Sequence, residues 1–543
     1  MNDRRHKVSS RKNELLFEGS DWNFELLERT YHAIEDIALN DLGLDVYPNQ
    51  VEIISSEQML DAYSSIGMPL MYQHWSFGKR FVHDEQMYRK GYQGLAYEIV
   101  INSNPCISYN MEENTMPMQT LVMAHAAFGH NHFFKNNYLF KQWTDAEGIL
   151  EYMQFAKSYI AKCEEKYGTE AVEEILDAAH ALMDHGVFRY RRPPKPSLRD
   201  EERRRRERAD YEESQFNDLW RTLPDKADDA LPPETEEQRK ARMQAMQLPQ
   251  ENLLYFLEKH SPALQGWQRE LLHIVSKIAQ YFYPQKQTKV MNEGCATFVH
   301  YYIANRLYDL GKISEGALLE ILHSHANVVM QPDYDDPRYS GLNPYALGFE
   351  MMQDIRRICE DPTEEDREWF PGFAGCEDWR GVLKDAWANY RDESFILQYL
   401  SPTVMRKFRM FLIADEEKKS HYAVSHIHNE AGFRELRAAL ARSYDVGRIE
   451  PDIQVADADM RGDRCLQVQH MAHDHIPLEA KDRSEVLKYI RTLWGYNVSM
   501  ESIDRSSGSV MQKVLLTDKG EKDLCAKKEE ALSYEEALLG VVV

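Results

Sequence analysis

Apolar residues recur at steps of three and four along much of the chain, a spacing that predicts amphipathic helices. From about residue 20 to 45 this repeat predicts a first helix, and from 145 to 183 a further helical stretch. Between them, YPNQVEIIS predicts a short strand and SEQMLDAYSSIG a helix that begins at Ser55 or Ser56. GLAYEIVINSNPCISYNMEEN predicts one or two strands broken at Asn104-Pro105, and MPMQTLVMAHAAF a helix directly after them.

The pattern changes twice further along the chain. Residues 191–250 hold prolines and mixed charge with few apolar positions, which indicates a charged insertion or linker. Helical periodicity then returns until about residue 445. In the last hundred residues, IQVADAD, CLQVQHMA and SVMQKVLLT predict strands around one helix, SEVLKYIRTLWG.

These changes predict a mainly α (α+β) protein: a helical main domain with a small sheet, and a small C-terminal α+β domain. The predicted segments are a flexible tail at 1–19, the main domain at 20–190 and 251–450 around the insertion at 191–250, the C-terminal domain at 451–520, and a tail at 521–543.

Charge and composition exclude several classes of function. A formal net charge of −24 argues against binding to nucleic acid or to an anionic membrane surface. The basic N-terminus lacks the apolar stretch of a secretory signal, and no segment approaches the roughly 20 apolar residues of a membrane span. Seven cysteines without a C-x-x-C pair indicate a reducing compartment. We therefore expect a soluble, cytoplasmic protein.

The segment AHAAFGHNHFFKNN places His125, His130 and His132 within eight residues. The zinc-protease motif H-E-x-x-H is absent, because Ala126 and Gly129 occupy the positions that it requires after His125. His125 and His130 are five residues apart, about 140° around an ideal helix. They converge only if Gly129 ends or distorts the helix.

A second cluster lies in KVMNEGCATFVHYYI. Glu293 and His300 are seven residues apart and share one helix face, and a carboxylate in such apolar surroundings is costly unless it is paired or binds a metal. ILHSHANVV adds His323 and His325. Any single buried histidine is usually structural, so these residues alone leave a metal site and a structural cluster both open.

Taken together, these segments resemble the stage V sporulation protein R (SpoVR) family. The match covers nearly the whole chain apart from the tails and the charged insertion, although the family usually has Trp where this chain has Cys295. The strings that carry it are YPNQVEIISSEQMLDAYSSIGMP, MYQHWSFGKRF, LAYEIVINSNPCISYNMEENT, AHAAFGHNHFFKNNYLF, VMNEGCATFVHYYI, LHSHANVVMQP, LNPYALGFEM and DADMRGDRCLQVQH.

The resemblance implies a role in spore-cortex formation or in stress responses, beside a serine protein kinase and a von Willebrand-type partner. It does not imply a molecular activity. His125 and His130 match the family's A-H-x-x-x-G-H pattern, whereas His132 falls at a variable position. The family motifs also include Glu293, His300, His323 and His180.

A weaker resemblance is to gluzincin metallopeptidases, some of which take a third zinc ligand from an E-G-W-A string. Here E-G-C-A begins at Glu293, and the first histidine helix follows a strand. This implies a zincin-like layout in which His125, His130 and Glu293 bind zinc, with His300, His323 or His180 as a further ligand or supporting partner. The general base is unassigned, with Glu112 and Glu113 as candidates.

The sequence leaves open whether the protein is an enzyme. One hypothesis is a zinc-dependent hydrolase of an amide or peptide bond that lacks the H-E-x-x-H glutamate. Its rival is a non-catalytic regulatory or scaffold protein that acts with the kinase and the von Willebrand-type partner. A third hypothesis, a redox sensor at Cys295, is disfavoured because the neighbouring Glu293 opposes thiolate formation.

Overall fold

The computed structural model describes residues 15–65, 71–89, 98–189, 202–203, 235–415, 423–426, 430–460, 462–473, 476–524 and 538–542, with the single residues 68, 199 and 206. The chain forms two compact units, each built from separate segments. The first comprises Met1–Lys157, Gln285–Tyr444 and Glu536–Val543, and the second Ser158–Pro284 and Asp445–Glu535. None of the described helices combines the length and apolar character needed to cross a bilayer.

Helices dominate the first unit. Before residue 158 they are Phe24–Asp36, Ser56–Ser64, Trp75–Arg89, Met116–Met123, Asn131–Asn136 and Tyr138–Trp143, with π-helical turns at Ile37–Asp41 and Ala124–His130. After residue 285 they are Lys289–Asp309, Glu315–Val328, Pro344–Glu360, Glu364–Trp369, Trp379–Asn389, Asp392–Tyr399, Pro402–Lys407 and Glu430–Ser443. The predicted cap is confirmed, because the Ser55 side chain accepts a hydrogen bond from the Gln58 backbone N–H.

Strands form one five-stranded and two three-stranded sheets in the described residues. In chain order they are β1 (Asn49–Ile54), β2 (Glu98–Ile101), β3 (Cys106–Met111), β4 (Phe411–Asp415), β5 (Ala423–His426), β6 (Asp452–Ala458), β7 (Leu466–Ala472), β8 (Val498–Asp504), β9 (Val510–Thr517), β10 (Gly520–Asp523) and β11 (Leu538–Val542). The first unit contains the sheets β1-β3-β2 and β11-β4-β5. In the first of these, β1 runs parallel to β3 while β2 is antiparallel to it, with Glu98 opposite Asn110.

The helix Lys289–Asp309, which we call the central helix, is buried along most of its length in the first unit. The backbone of the central helix lies in close contact with the backbones of two other helical segments. Gly294 faces Gly348 on Pro344–Glu360, where an added Cβ would lie 2.6 Å from the Gly348 Cα. Gly129 faces Ala296, where an added Cβ would lie 2.5 Å from the Ala296 Cα. Glycine therefore allows three helical segments to pack at backbone contact.

The second unit joins helices to the five-stranded sheet β10-β9-β8-β7-β6. Its strands pair antiparallel except β7 and β8, which are parallel. β7 alternates strictly between buried and half-buried residues, as expected for a sheet that covers a core on one face. The helices are Thr169–Ala181, Glu236–Ala245, Leu253–His260, Val446–Ile449, Ala480–Trp494, most of Ile149–Tyr167 and most of Gly266–Gln287, with a 3₁₀ turn at Met183–His185.

The predicted fold class is confirmed: the protein is mainly α with a small C-terminal α+β part. The zincin-like layout stays a prediction. β4 and β5 interrupt the stretch that was predicted to be helical until about residue 445. β8 and β10 were not predicted, and β11 lies in the predicted tail at 521–543. Residues 1–14 and most of the predicted insertion lie outside the described residues, but Leu16 and Phe17 at the end of the predicted N-terminal tail are buried in the core.

The observed units also differ from the predicted segments. Residues 158–284 group with 445–535 rather than with the rest of the main domain. Within that unit, Gln250 forms a backbone bridge with Val455 on β6, and the Arg242 guanidinium bonds to Asp457. The prediction assigned residues near 250 and residues after 451 to different segments, whereas these contacts join them across about 200 residues of chain.

Candidate metal centre

The histidine segment is one continuous helical rod with a widened turn in its middle. Met116–Met123 is α-helical, Ala124–His130 is a π-helical turn, and Asn131–Asn136 is again α-helical. In a π-helical turn the backbone bonds join residues five apart, so such residues become neighbours. The His125 and His130 rings accordingly lie 4.6 Å apart between centroids. The expected distortion is present, but Gly129 does not end the helix.

The first turn of the central helix is fixed by a carboxylate from another helix. Both oxygens of Asp392 accept backbone N–H bonds, from Val290 and Met291, each at 2.9 Å. These donors have no partner within the helix, and Thr288 at its start provides no side-chain cap. Burial raises the pKa of Asp392 to about 7. Asp392 thus holds the helix two residues before Glu293.

Three side chains converge on one point. The Glu293 Oε2 atom lies 3.5 Å from His130 Nε2 and 3.8 Å from His125 Nε2. These three ligand atoms all lie within 4.8 Å of one another. Ligands 2.0–2.1 Å from a tetrahedral zinc ion are about 3.3 Å apart, close to the observed spacing. Glu293 Oε2 is buried and has no hydrogen-bond partner among the described residues.

Neighbouring side chains orient both imidazoles. His130 Nδ1 lies 2.9 Å from Asn292 Oδ1, which can only accept, so Nδ1 carries the proton and Nε2 keeps a free lone pair. His125 Nδ1 lies 2.9 Å from His300 Nδ1, and His300 Nε2 lies 2.9 Å from His325 Nδ1. These three histidines form a row. Because the His125 Nε2 lone pair faces Glu293, His125 donates through Nδ1 to His300, and His300 donates through Nε2 to His325.

The row of imidazoles is neutral at neutral pH. Burial lowers the pKa of His125 and of His300 well below its ordinary range, and neighbouring histidines lower both further. Burial also lowers the pKa of His325 to about 4. Neutral imidazoles are the form that binds metals.

Glu98 is a site residue that sequence reasoning missed. It starts β2, and its Oε1 lies 3.7 Å from His125 Nε2. Burial, and then the nearby Glu293, raise the pKa of Glu98 to about 8. The signal was present in LAYEIVIN, where Glu98 is an isolated carboxylate in an apolar strand, the same pattern that singled out Glu293.

Other predicted residues lie elsewhere. His323 is exposed on Glu315–Val328, and His325 on the same helix takes the place next to His300. His180 belongs to the second unit, whereas the cluster belongs to the first. Glu112 and Glu113 are exposed in the turn after β3, so Glu98 is better placed beside the imidazoles.

The contacts and burial of two further candidates, His132 and Cys295, indicate structural roles. His132 Nδ1 lies 3.0 Å from both the backbone N and the backbone O of Asp45, which ties the helical rod to the preceding loop. Cys295 is fully buried, and burial raises the pKa of its thiol well above the ordinary value. A reactive thiolate at Cys295 is therefore disfavoured.

Comparison with known proteins covers almost the whole chain. The family described as SpoVR like protein matches residues 21–449, and the SpoVR-like C-terminal domain matches residues 451–505. A protein of Escherichia coli (strain K12), the uncharacterized protein YcgB, is 55% identical over 495 residues, which are 91% of this chain and 95% of that protein. No solved structure matches.

Proposed function

The chain belongs to the SpoVR family, and from this premise we propose that it is a zinc-dependent hydrolase that acts on an amide or peptide bond. One observation carries the proposal: two imidazole Nε2 atoms converge on a buried Glu293 oxygen that has no other partner in the described chain. Leaving a carboxylate oxygen buried and unpaired is costly, and a cation between these three atoms removes that cost.

The donor set fits zinc. Two histidines and one glutamate are the protein ligands of several catalytic zinc sites, which keep a fourth position for water or substrate. Zinc bound in this way polarises a carbonyl group and lowers the pKa of its bound water to about 7. Asn292 and His300 support the assignment, because metal-binding histidines usually have a partner on the other ring nitrogen.

Glu98 is our candidate for the carboxylate that exchanges a proton with the reacting groups. Its Oε1 atom faces His125 Nε2, on the same side of the imidazole as Glu293. The glutamate of H-E-x-x-H would follow His125 directly along the helix, but Ala126 occupies that position. A glutamate from β2 thus offers a carboxylate beside the same imidazole.

The metal site is tested by elemental analysis of the purified, tag-free chain. We expect about one zinc per chain in the unmodified protein, and its loss in His125→Ala and in Glu293→Gln, because each removes one of three ligand atoms. His323→Ala is the matched control, because His323 is an exposed histidine of the same unit. Circular dichroism shows whether each variant folds. Unchanged zinc in a folded Glu293→Gln variant refutes the assignment.

Hydrolysis is tested separately with the zinc-loaded protein and a mixed peptide library read by mass spectrometry. Cleavage that disappears in Glu293→Gln supports the hydrolase. Ala126, in place of the motif glutamate, favours a second proposal: a regulatory or scaffold protein acting with a serine protein kinase and a von Willebrand-type partner. Zinc binding without any cleavage, together with direct binding to such a kinase, favours that alternative.

The biological setting is also a proposal. Family membership supports a role in sporulation, in the spore cortex or in stress responses, and the absence of paired cysteine motifs supports a cytoplasmic location. Deletion of the gene tests both roles. A defect in the spore cortex supports the sporulation role, and a defect in a starvation assay supports the stress-response role.

A further inference from the structure

A groove of 530 Å³ opens on the side of the central helix that faces away from Glu293 and His300. The helix contributes residues spaced three, four, seven, eight and eleven apart, which share one face. These are Phe298, Tyr301, Tyr302, Asn305, Arg306 and Asp309. The volume lies within the range of ordinary small-molecule sites. The groove is therefore a concavity of the first unit with the size of a ligand site.

Arginines line this groove in a chain whose net charge is −24. Arg306 and Arg380 share the single carboxylate of Asp41, at 2.9 and 3.4 Å. Arg356 and Arg380 both lie over the ring of Trp379, at 5.0 and 4.4 Å from its centroid. The lining thus holds three arginines and two carboxylates, Asp41 and Asp309, and two of the arginines share Asp41. A bound anion is attracted to guanidiniums gathered in this way.

The arginines of the groove have N–H donors that are not used in hydrogen bonds among the described residues. Arg306 and Arg356 contact their carboxylate partners, Asp41 and Glu360, through Nε. Their terminal nitrogens have no hydrogen-bond partner among the described residues. Arg380 donates through Nη2 to Asp41 and to the Tyr302 hydroxyl, which leaves its Nη1 without a hydrogen-bond partner among the described residues. Paired terminal N–H groups of guanidinium are the donors that bind phosphate oxygens in a fork.

The rest of the lining suits a flat ring. Tyr301 and Tyr302 are half-buried, with the Tyr301 ring against His325 and Phe349 and the Tyr302 ring against Trp379. The amides of Asn305 and Gln353 provide both donors and acceptors for the polar edge of a heterocycle. Aromatic rings beside a phosphate-binding fork are the combination that recognises nucleotides.

We propose that this groove binds a small phosphate ester that carries a flat heterocycle, of the nucleotide class. The guanidiniums of Arg356 and Arg380 bind the phosphate, and the Tyr301 and Tyr302 rings contact the heterocycle. The groove and Glu293 lie on opposite sides of the central helix, while the Tyr301 ring also packs against His325, the last histidine of the row that begins at His125.

The test is calorimetric titration of the full chain, treated with EDTA, against adenosine 5′-monophosphate, inorganic phosphate and adenosine. We expect the monophosphate to bind more tightly than either of its parts. Arg356→Gln and Arg380→Gln should each weaken its binding by about ten- to one-hundred-fold, the loss expected for a charged hydrogen bond. Because no metal is present, failure of this test and failure of the zinc assignment are distinguishable.

Arg338→Gln is the matched control, because Arg338 is exposed and, among the described residues, bonds only to Asp336 in its own loop. If Arg380→Gln does not fold, Arg356→Gln carries the test, since in the described part of the chain its hydrogen-bond and cation–π partners are Glu360 and Trp379. The proposal is overturned if no probe binds at millimolar concentration, if phosphate binds as tightly as the monophosphate, or if the arginine variants leave the affinity unchanged.

Discussion

At the scale of single residues, the candidate metal centre is a set of side chains that each depend on a neighbour. Asn292 fixes which nitrogen of His130 carries the proton, and His300 holds the His125 ring through a hydrogen bond between their Nδ1 atoms. Asp392 holds the first turn of the helix that presents Glu293. A ligand set that is oriented before the ion arrives binds it more tightly than a mobile one.

Replacement of Asn292 by alanine should weaken zinc binding without removing a ligand. We expect a loss of about ten- to one-hundred-fold in affinity, because His130 can then place its proton on Nε2 and turn its ring. Competition with a chromophoric chelator measures this. Asn327→Ala is the control, as Asn327 is exposed and contacts only His323. An unchanged zinc affinity in Asn292→Ala contradicts the orienting role.

Replacement of Glu98 by glutamine separates proton exchange from metal binding. The amide keeps the size of the side chain but cannot take up a proton, and three ligand atoms remain. We expect about one zinc per chain and loss of peptide cleavage, measured on the same preparation by elemental analysis and mass spectrometry. Loss of zinc would make Glu98 a ligand instead, and cleavage at the original rate would remove it from the reaction.

At the scale of elements, the centre depends on how closely two helical segments approach. The π-helical turn Ala124–His130 lies against the central helix, and Gly129 leaves no room for a side chain there. The widened turn brings His125 and His130 together, and the glycine brings both of them within reach of Glu293. The geometry of the π-helical turn and its contact with the central helix thus act on the same seven residues, Ala124–His130.

Gly129→Ala should destabilise the first unit by about 2 kcal/mol or more, because the new Cβ would lie 2.5 Å from the Ala296 backbone. It should also reduce zinc binding, since the two helical segments must move apart. Gly316→Ala is the control: nothing but the Ser314 hydroxyl lies within 4 Å, and alanine favours a helix. Urea denaturation measures both variants. Equal stability of the two contradicts the close packing at Gly129.

At the scale of the whole molecule, pH should act on the two units through different groups. In the first unit, buried histidines have lowered pKa values, while those of Glu98 and Asp392 are raised, so protonation has opposing effects on stability. In the second unit, burial lowers the pKa of His470 to about 4, against partial opposition from Asp452 and with a further lowering by His473. His470 therefore offers the simpler test.

A histidine whose folded pKa lies below its unfolded value of about 6.5 stabilises the protein fully above pH 6.5. That stabilisation is lost as the pH falls from 6.5 towards 4. His470→Gln lacks this titration, so its deficit in unfolding free energy against the parent should shrink as the pH falls. Urea denaturation at pH 8, 6.5 and 5 measures it, with the exposed His323→Gln as control. A deficit that is constant with pH contradicts this account.

Much of the fold could be predicted because its causes are local. The periodicity of apolar residues predicted the first helix, β1 and the helix capped by Ser55, and the structure confirms each of them. The shared face of Glu293 and His300 is likewise confirmed, because both contact His125. Such features depend on residues within two helical turns of each other, which the sequence displays directly.

The sequence by itself therefore determined the fold class, the family and the identity of three converging side chains. Only the tertiary structure decided which partners surround them: Glu98 from a strand, Asn292 beside His130, and His325 rather than His323. It also decided that residues 158–284 join 445–535 in one unit. The physical reason is that contacts between distant segments depend on shape and packing, and these leave no period in the chain.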